Sequence, residues 1–166
     1  KIREELEEIA TEVAVELIVI SNHIETYREY ILPLAIPSRY VEWSQEVVVQ
    51  HLRVADVVVI PQTRNEFNLC KSANRSVLAL LHGTPVIATG MPSNMVLREC
   101  CEIDNFQAGL RNYLADSEHA RRHVEHGQRL IAELFGQPII GARWLDVLDM
   151  VASTPRRSEE KNSELI

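Results

Sequence analysis

Residues 55–88 read ADVVVIPQTRNEFNLCKSANRSVLALLHGTPVIA. Val57-Val58-Val59-Ile60 is a run of four β-formers with no polar alternation, closed by Pro61. A run of that kind suits a parallel strand covered on both faces. The polar loop of residues 62–70 follows, and Lys71–His82 then carries Val77, Leu78 and Leu81 at helical spacing. Gly83 supplies the stop, and Thr84-Pro85-Val86-Ile87-Ala88 is a second short buried strand. Strand, loop, helix and strand make a βαβ unit with a right-handed parallel crossover.

The flanks extend the same pattern. Ile2, Leu6, Ile9 and Val13 recur at steps of four, three and four among glutamates, which predicts an amphipathic helix with one buried stripe. Leu17–Ile20 reads as a buried strand, Glu25–Leu32 as a short helix halted before Pro33, and Tyr40–Trp43 as another strand. Ser44 caps a helix over Gln45–Arg53, with Val47 and Val48 three and four residues on. From Asp104 the chain reads helical. Phe106, Leu110 and Leu114 line one face, a long second helix runs through Ala120, Val124, Leu130, Ile131 and Leu134, and a third covers Ala142–Val151. Residues 153–166 are charged and almost free of apolar side chains, the pattern of a disordered tail. The fold expected is α/β: a Rossmann-like three-layer domain over residues 1–152, with a mostly parallel sheet and a C-terminal helical extension.

Composition narrows the class. The 166 residues carry 17 basic and 24 acidic side chains, a formal charge of −7, with 46% apolar residues. That is an ordinary globular balance, and it argues against a partner as anionic as nucleic acid. No apolar run approaches the roughly 20 residues a transmembrane helix needs. Cys70, Cys100 and Cys101 are odd in number and lack zinc or CxxC spacing, so a reducing, cytoplasmic setting is expected.

Chemistry is expected where a parallel strand meets the next helix, since open α/β sheets bind ligands there and helix N-termini favour anions. That place holds Asn65, Glu66, Phe67, Asn68, Lys71, Ser72, Asn74 and Arg75. Lys71 can offset phosphate charge, Ser72 can donate a hydroxyl, and Asn74 can pair with a ribose or sugar hydroxyl. The same residues also fit a plainer arrangement, with Ser72 as helix cap and Lys71 and Arg75 as solvated cations. His119, His123 and His126 stand at steps of four and three, but with Arg121, Arg122 and Glu125 interleaved they read as a solvated helix face, and no metal is expected. Cys100 and Cys101 read as buried apolar packers. Walker A, G-x-S-x-G and G-x-G-x-x-G signatures are absent.

From Trp43 to Trp144 the chain resembles the C-terminal, nucleotide-sugar-binding domain of GT-B-fold glycosyltransferases, especially the retaining family 4 (group 1) type. Val41-Glu42-Trp43-Ser44, Ala55–Pro61, Asn65-Glu66-Phe67, Lys71 and Gly83–Ala88 carry the likeness. The resemblance implies Glu66 as the catalytic acid beside a donor sugar and Asn65, Phe67, Asn68, Lys71, Ser72, Asn74 and Arg75 as donor-binding residues. Asn74, eight residues after Glu66, stands where the family has a second acid for the ribose, and Phe67 and Asn68 replace glycines. The domain's first strand, which precedes a helix like that of Ile2–Val13, is missing from this sequence.

The function implied is therefore glycosyl transfer, as in polysaccharide biosynthesis, by the donor half of an enzyme that is inactive without its other half. The donor would be a nucleotide-diphosphate sugar, used as substrate with no cofactor. Its partner would be an N-terminal acceptor-binding domain of the same parent chain, through which the protein could also reach a membrane surface. The alternative is a non-catalytic interaction or regulatory module descended from a GT-B half-domain.

Overall fold

A computed structural model describes residues 2–154 of the protein; the charged tail expected from 153 falls, past Thr154, outside them. Helix α1 (Ile2–Glu12) leads into β1 (Leu17–Ser21), α2 (Ile24–Tyr30), β2 (Ser38–Glu42), α3 (Gln45–Leu52) and β3 (Val58–Ile60). A four-residue α4 (Glu66–Leu69) and α5 (Asn74–Leu81) precede β4 (Val86–Ala88) and β5 (Glu102–Ile103). The remainder is α6 (Phe106–Ala115), α7 (Ser117–Phe135) and α8 (Gln137–Ser153). The chain divides into two compact units inside α7, the first ending at Leu130 and the second starting at Ile131. A single domain to residue 152 was the sequence expectation. The second unit holds the end of α7 and all of α8, whose first turn carries Pro138.

In the first unit every strand pairing is parallel. β1 pairs with β2, with Leu17 opposite Ser38 and Ser21 opposite Glu42. β3 pairs with β4, and β4 with β5, giving a second sheet in the order β3-β4-β5. β4 is the keystone: Val86, Ile87 and Ala88 are each 0% exposed. Ile87 packs with Ile9 of α1 and with Leu110 and Tyr113 of α6, and Val57 and Val59 press on the same cluster. Val86 and Ala88 alternate to the opposite face, where α5 lies against β3 and β4 and buries Ser76, Ala79 and Leu80. Helices on both faces of a parallel sheet make the three-layer, Rossmann-like α/β arrangement.

Local chemistry places the helices. The Ser44 side chain accepts the Val47 N–H and starts α3. Gly83, at φ +90°, closes α5 with a left-handed turn that other residues adopt at a cost. Gly109 lets α6 approach β4 and β5: a Cβ there would meet Glu102 Cβ at 2.9 Å and Ile87 Cδ1 at 3.3 Å. Arg111 of α6 reaches Glu12 of α1 at 2.5 Å and Glu8 at 3.3 Å, fixing the helix pair at its exposed rim.

Four expectations need correction. Val13 lies past the end of α1 and is exposed, so the stripe ends at Ile9. On α6 the buried position is Tyr113, not Leu114, because the face follows steps of four and three from Phe106. The helix expected over 71–82 begins only at Asn74, with Ala73 as its N-cap; Lys71 and Ser72 belong to the connection from α4. The strand β5 and a 3₁₀ turn at Asn94–Leu97 were not foreseen.

Leu80 is fully buried while its neighbour Leu81 is 50% exposed. Leu80→Ala should therefore lower the urea-unfolding free energy by about 2–5 kcal/mol, and Leu81→Ala by no more than about 0.5 kcal/mol. Equal losses at the two positions would contradict the face assigned to α5.

Candidate functional site

The C-terminal end of β3 and the start of α5 enclose a cleft of about 320 Å³. Ile60 lines it from the strand, Gln62 from the loop that follows, Lys71 through Ser76 from the helix entry, and Asn94 from the turn after β4. Its floor is polar and closed upon itself. Ser76 Oγ donates to Asn94 Oδ1 at 3.0 Å, and Asn94 Nδ2 donates to the Thr89 carbonyl at 3.0 Å and, more weakly, to Gln62 Oε1 at 3.4 Å. The Gln62 N–H in turn donates to Thr89 Oγ1 at 2.9 Å. Ser76, Thr89 and Asn94 are all buried. Leaving one such group unpaired costs roughly 1–3 kcal/mol, so the floor has one favoured arrangement.

The rim carries charge. No side chain caps α5, since its N-cap is Ala73, and the first-turn N–H groups of a helix favour anions. Lys71 Nζ sits 4.4 Å above the Phe67 ring, a cation–π contact that holds the ammonium beside the cleft. Neither Lys71 nor Arg75 enters an ion pair among the described residues.

Four of the eight residues singled out in the sequence thus meet here: Lys71, Ser72, Asn74 and Arg75. The other four do not line the cleft. Asn65 Oδ1 accepts the Asn68 N–H at 2.8 Å and caps α4, while Asn68 Nδ2 donates to the Thr63 carbonyl at 2.8 Å. Those two side chains hold the loop's own turn. Phe67 serves as the platform for Lys71, and Glu66 is exposed in the first turn of α4. Gln62, Ser76 and Asn94 were missed. Ser76 had a signal: it is a hydroxyl three and four residues before Ala79 and Leu80, on the stripe that α5 buries.

The loops at this end of the sheet are tied by Asp104, which stands at φ 54° just after β5. Its carboxylate accepts the Gly90 N–H at 2.9 Å and pairs with Arg64 at 2.6 Å. Asp104 thereby joins the segments that follow β3, β4 and β5.

The histidines of α7 correct another expectation. His119 and His123 are half-buried, not solvated, and their rings lie 4.2 Å apart between centroids. Tyr113 Oη and His123 Nδ1 share a hydrogen bond of 2.8 Å, and His119 Nε2 stands 3.3 Å from Glu102. Among the described residues no group of three or more His, Cys, Asp and Glu is arranged to hold a metal. Burial raises the Glu102 carboxyl, but hydrogen bonds from Asn105, His119 and Asn112 outweigh it and leave the group below the usual carboxylate value. Cys100 and Cys101 are buried free thiols, and the hydrogen bond between them together with burial pushes the Cys101 thiol far up. It is inert packing in that state.

No family model matches the chain, and no curated protein matches it. Among the described residues, no helix is long and apolar enough to cross a membrane.

Burial, reinforced by His119, holds the His123 imidazole below its ordinary value of 6.5. The unfolded chain then binds the proton more readily than the folded one. Stability is full above pH 6.5 and falls as the pH drops through that value toward the lower folded one. Urea unfolding at pH 7.5 and 5.5 should show this loss, and His123→Gln should reduce it. A pH dependence unchanged by the substitution would place its origin elsewhere.

Proposed function

We propose that the cleft between β3 and α5 binds the diphosphate of a nucleotide-activated sugar, and that the chain is the donor half of a glycosyltransferase. One observation carries the proposal. Two cations without ion-pair partners among the described residues, an uncapped helix start and the hydroxyl and amide side chains of Ser72 and Asn74 converge at the carboxyl end of a parallel strand. Convergence of this kind suits a ligand with a doubly charged end and a hydroxyl-rich body. Lys71 and Arg75 would offset the phosphate charge, Ser72 would donate to a phosphate oxygen, and Asn74 would pair with a sugar or ribose hydroxyl.

In such a transfer the nucleoside diphosphate leaves the anomeric carbon and negative charge grows on its bridging oxygen. Preorganised amides and cations stabilise that charge most where water is excluded. Glu66 is exposed on α4, so its part beside the sugar rests on the resemblance alone. The acceptor would be held by a separate N-terminal domain of the parent chain. Three free thiols support work in a reducing compartment such as the cytoplasm.

Calorimetric titration with UDP, ADP and GDP tests the binding step, with the matching nucleosides as controls. A diphosphate should bind and its nucleoside should not. Lys71→Ala should weaken binding by about fivefold, in line with the ~1 kcal/mol of an ion pair at a solvated rim, and Glu66→Gln should leave it unchanged. Equal binding of nucleoside and diphosphate, or no response at millimolar ligand, would defeat the proposal. A diphosphate site in a parent protein that transfers no sugar would instead favour the regulatory module.

A further inference from the structure

Helix α8 reads QPIIGARWLDVLDMVAS. Ile140, Trp144, Val147 and Val151 recur at steps of four, three and four, and Gly141, Leu145, Leu148 and Ala152 repeat those steps one residue on. The two rows make one broad apolar face, and Arg143, Asp146 and Asp149 take the remaining side. Such a face is normally laid against a core. Among the described residues nothing covers this one: no residue of α8 is buried, Trp144 and Leu145 are each 63% exposed, and Val151 is 62% exposed. A helix of 17 residues is marginal in water unless its apolar face is packed, and monomers rarely expose a continuous apolar patch beyond a few hundred Å².

The flanks of the face are as distinctive as its centre. Arg143, Asp146 and Asp149 enter no ion pair among the described residues, although Arg143 and Asp146 stand three apart, a spacing at which opposite charges on a helix can meet. Gly141 lies inside the helix, where glycine costs about 1 kcal/mol against alanine, and a Cβ at that position would meet nothing within 4 Å. No contact made within the described chain accounts for the unpaired charges or for the glycine.

We propose that α8 pairs through this face with α8 of a second copy of the chain, the two helices running antiparallel about a two-fold axis. The area suffices. The open parts of Ile140, Trp144, Leu145, Val147, Leu148 and Val151 come to roughly 500 Å², so two copies together reach the ~1,000 Å² that a specific interface needs. The face is also complementary to itself, as a two-fold contact requires. With the axis level with the Leu145–Asp146 peptide bond, Trp144 of each copy faces Val147 of the other and Ile140 faces Val151, so large side chains meet small ones. One flank then sets Arg143 beside Asp146 of the other copy, twice over by symmetry. On the other flank Gly141 leaves room for Leu148 of the other copy. A parallel pair would set Trp144 against Trp144 and Arg143 against Leu148. A lipid surface is the poorer match, because helices that lie on membranes carry Lys and Arg along the polar side, whereas α8 carries one cation and two carboxylates there. The inference stands apart from the nucleotide reading and survives its failure, since its test reads association and not ligand binding.

Sedimentation equilibrium of the 166-residue chain between about 1 and about 200 μM tests it, and should show a reversible monomer–dimer equilibrium in that range. Trp144→Glu should leave the chain monomeric throughout. Arg143→Asp, which spares the apolar face, should raise the dissociation constant by about tenfold through two like-charge contacts, and adding Asp146→Arg should bring it back to within about threefold. Direction is read by cross-linking with the exposed Cys70 replaced by serine. Ile140→Cys mixed with Val151→Cys should oxidise to a mixed disulfide, and neither alone should link to itself. A chain monomeric at the highest concentration would overturn the proposal, and binding of that monomer to phosphatidylcholine vesicles would assign the face to a lipid surface. A dimer that survives Trp144→Glu, a charge exchange that restores nothing, or Ile140→Cys linking to itself would overturn it equally.

Discussion

Because alternate peptide groups of a parallel strand face opposite neighbours, such a strand is satisfied only when flanked on both sides. β4 meets that condition, with β3 on one edge and β5 on the other, and its three side chains are entirely buried. Everything that positions the cleft hangs from it. α5 packs on one face of the β3–β4 pair, α6 and Ile9 on the other, and Thr89, the residue after β4, provides both the hydroxyl and the carbonyl that anchor the cleft floor. β1 and β3, with one neighbour each, keep apolar side chains half exposed. The contrast between β4 and β3, equal in length and alike in composition, lies in pairing and not in sequence.

That contrast explains what the sequence could and could not tell. A run such as Val57–Ile60 reveals a strand built to be covered, because four β-formers without polar alternation have no solvent face to offer. It does not reveal which edges are paired, since backbone groups carry no sequence signal. The parallel α/β class was therefore legible, and the division into two sheets was not. Helix faces were read well where the apolar steps were unambiguous, as at Ile9, and misread where an amphipathic Tyr113 competed with Leu114. Tyr113 buries its ring and still reaches His123 with its hydroxyl, a combination that a scale of apolarity undervalues.

The site was half legible for a related reason. Small polar residues after a strand serve ligands and turns alike, because Asn and Ser bond neighbouring backbone as readily as a guest. Asn65 and Asn68 went to the backbone of their own loop, and with them the loop closed into α4. Lys71 has no short path to a backbone carbonyl and stayed at the cleft. Asn94 could not be placed from the sequence, for its role depends on a turn that folds back under Ser76 from the far side of β4.

Floor and rim of the cleft therefore differ in kind. The floor is buried, mutually hydrogen-bonded and attached to the fully buried strand β4, so its shape exists before any ligand arrives. Lys71 and Arg75 stand at a solvated rim, where Coulomb attraction is screened and an ion pair is worth no more than about 1 kcal/mol. Rim cations of that sort speed encounter and favour any anion of the right charge. Discrimination between one anion and another must come from groups held in fixed positions, which here are the mutually hydrogen-bonded Ser76, Asn94 and Gln62 at the floor and the amides that open α5. A ligand reaching only the rim would be held loosely and in a salt-dependent manner. One that reaches the floor must replace hydrogen bonds already made between Ser76, Asn94 and Gln62, so only a group offering both donor and acceptor could do so without loss.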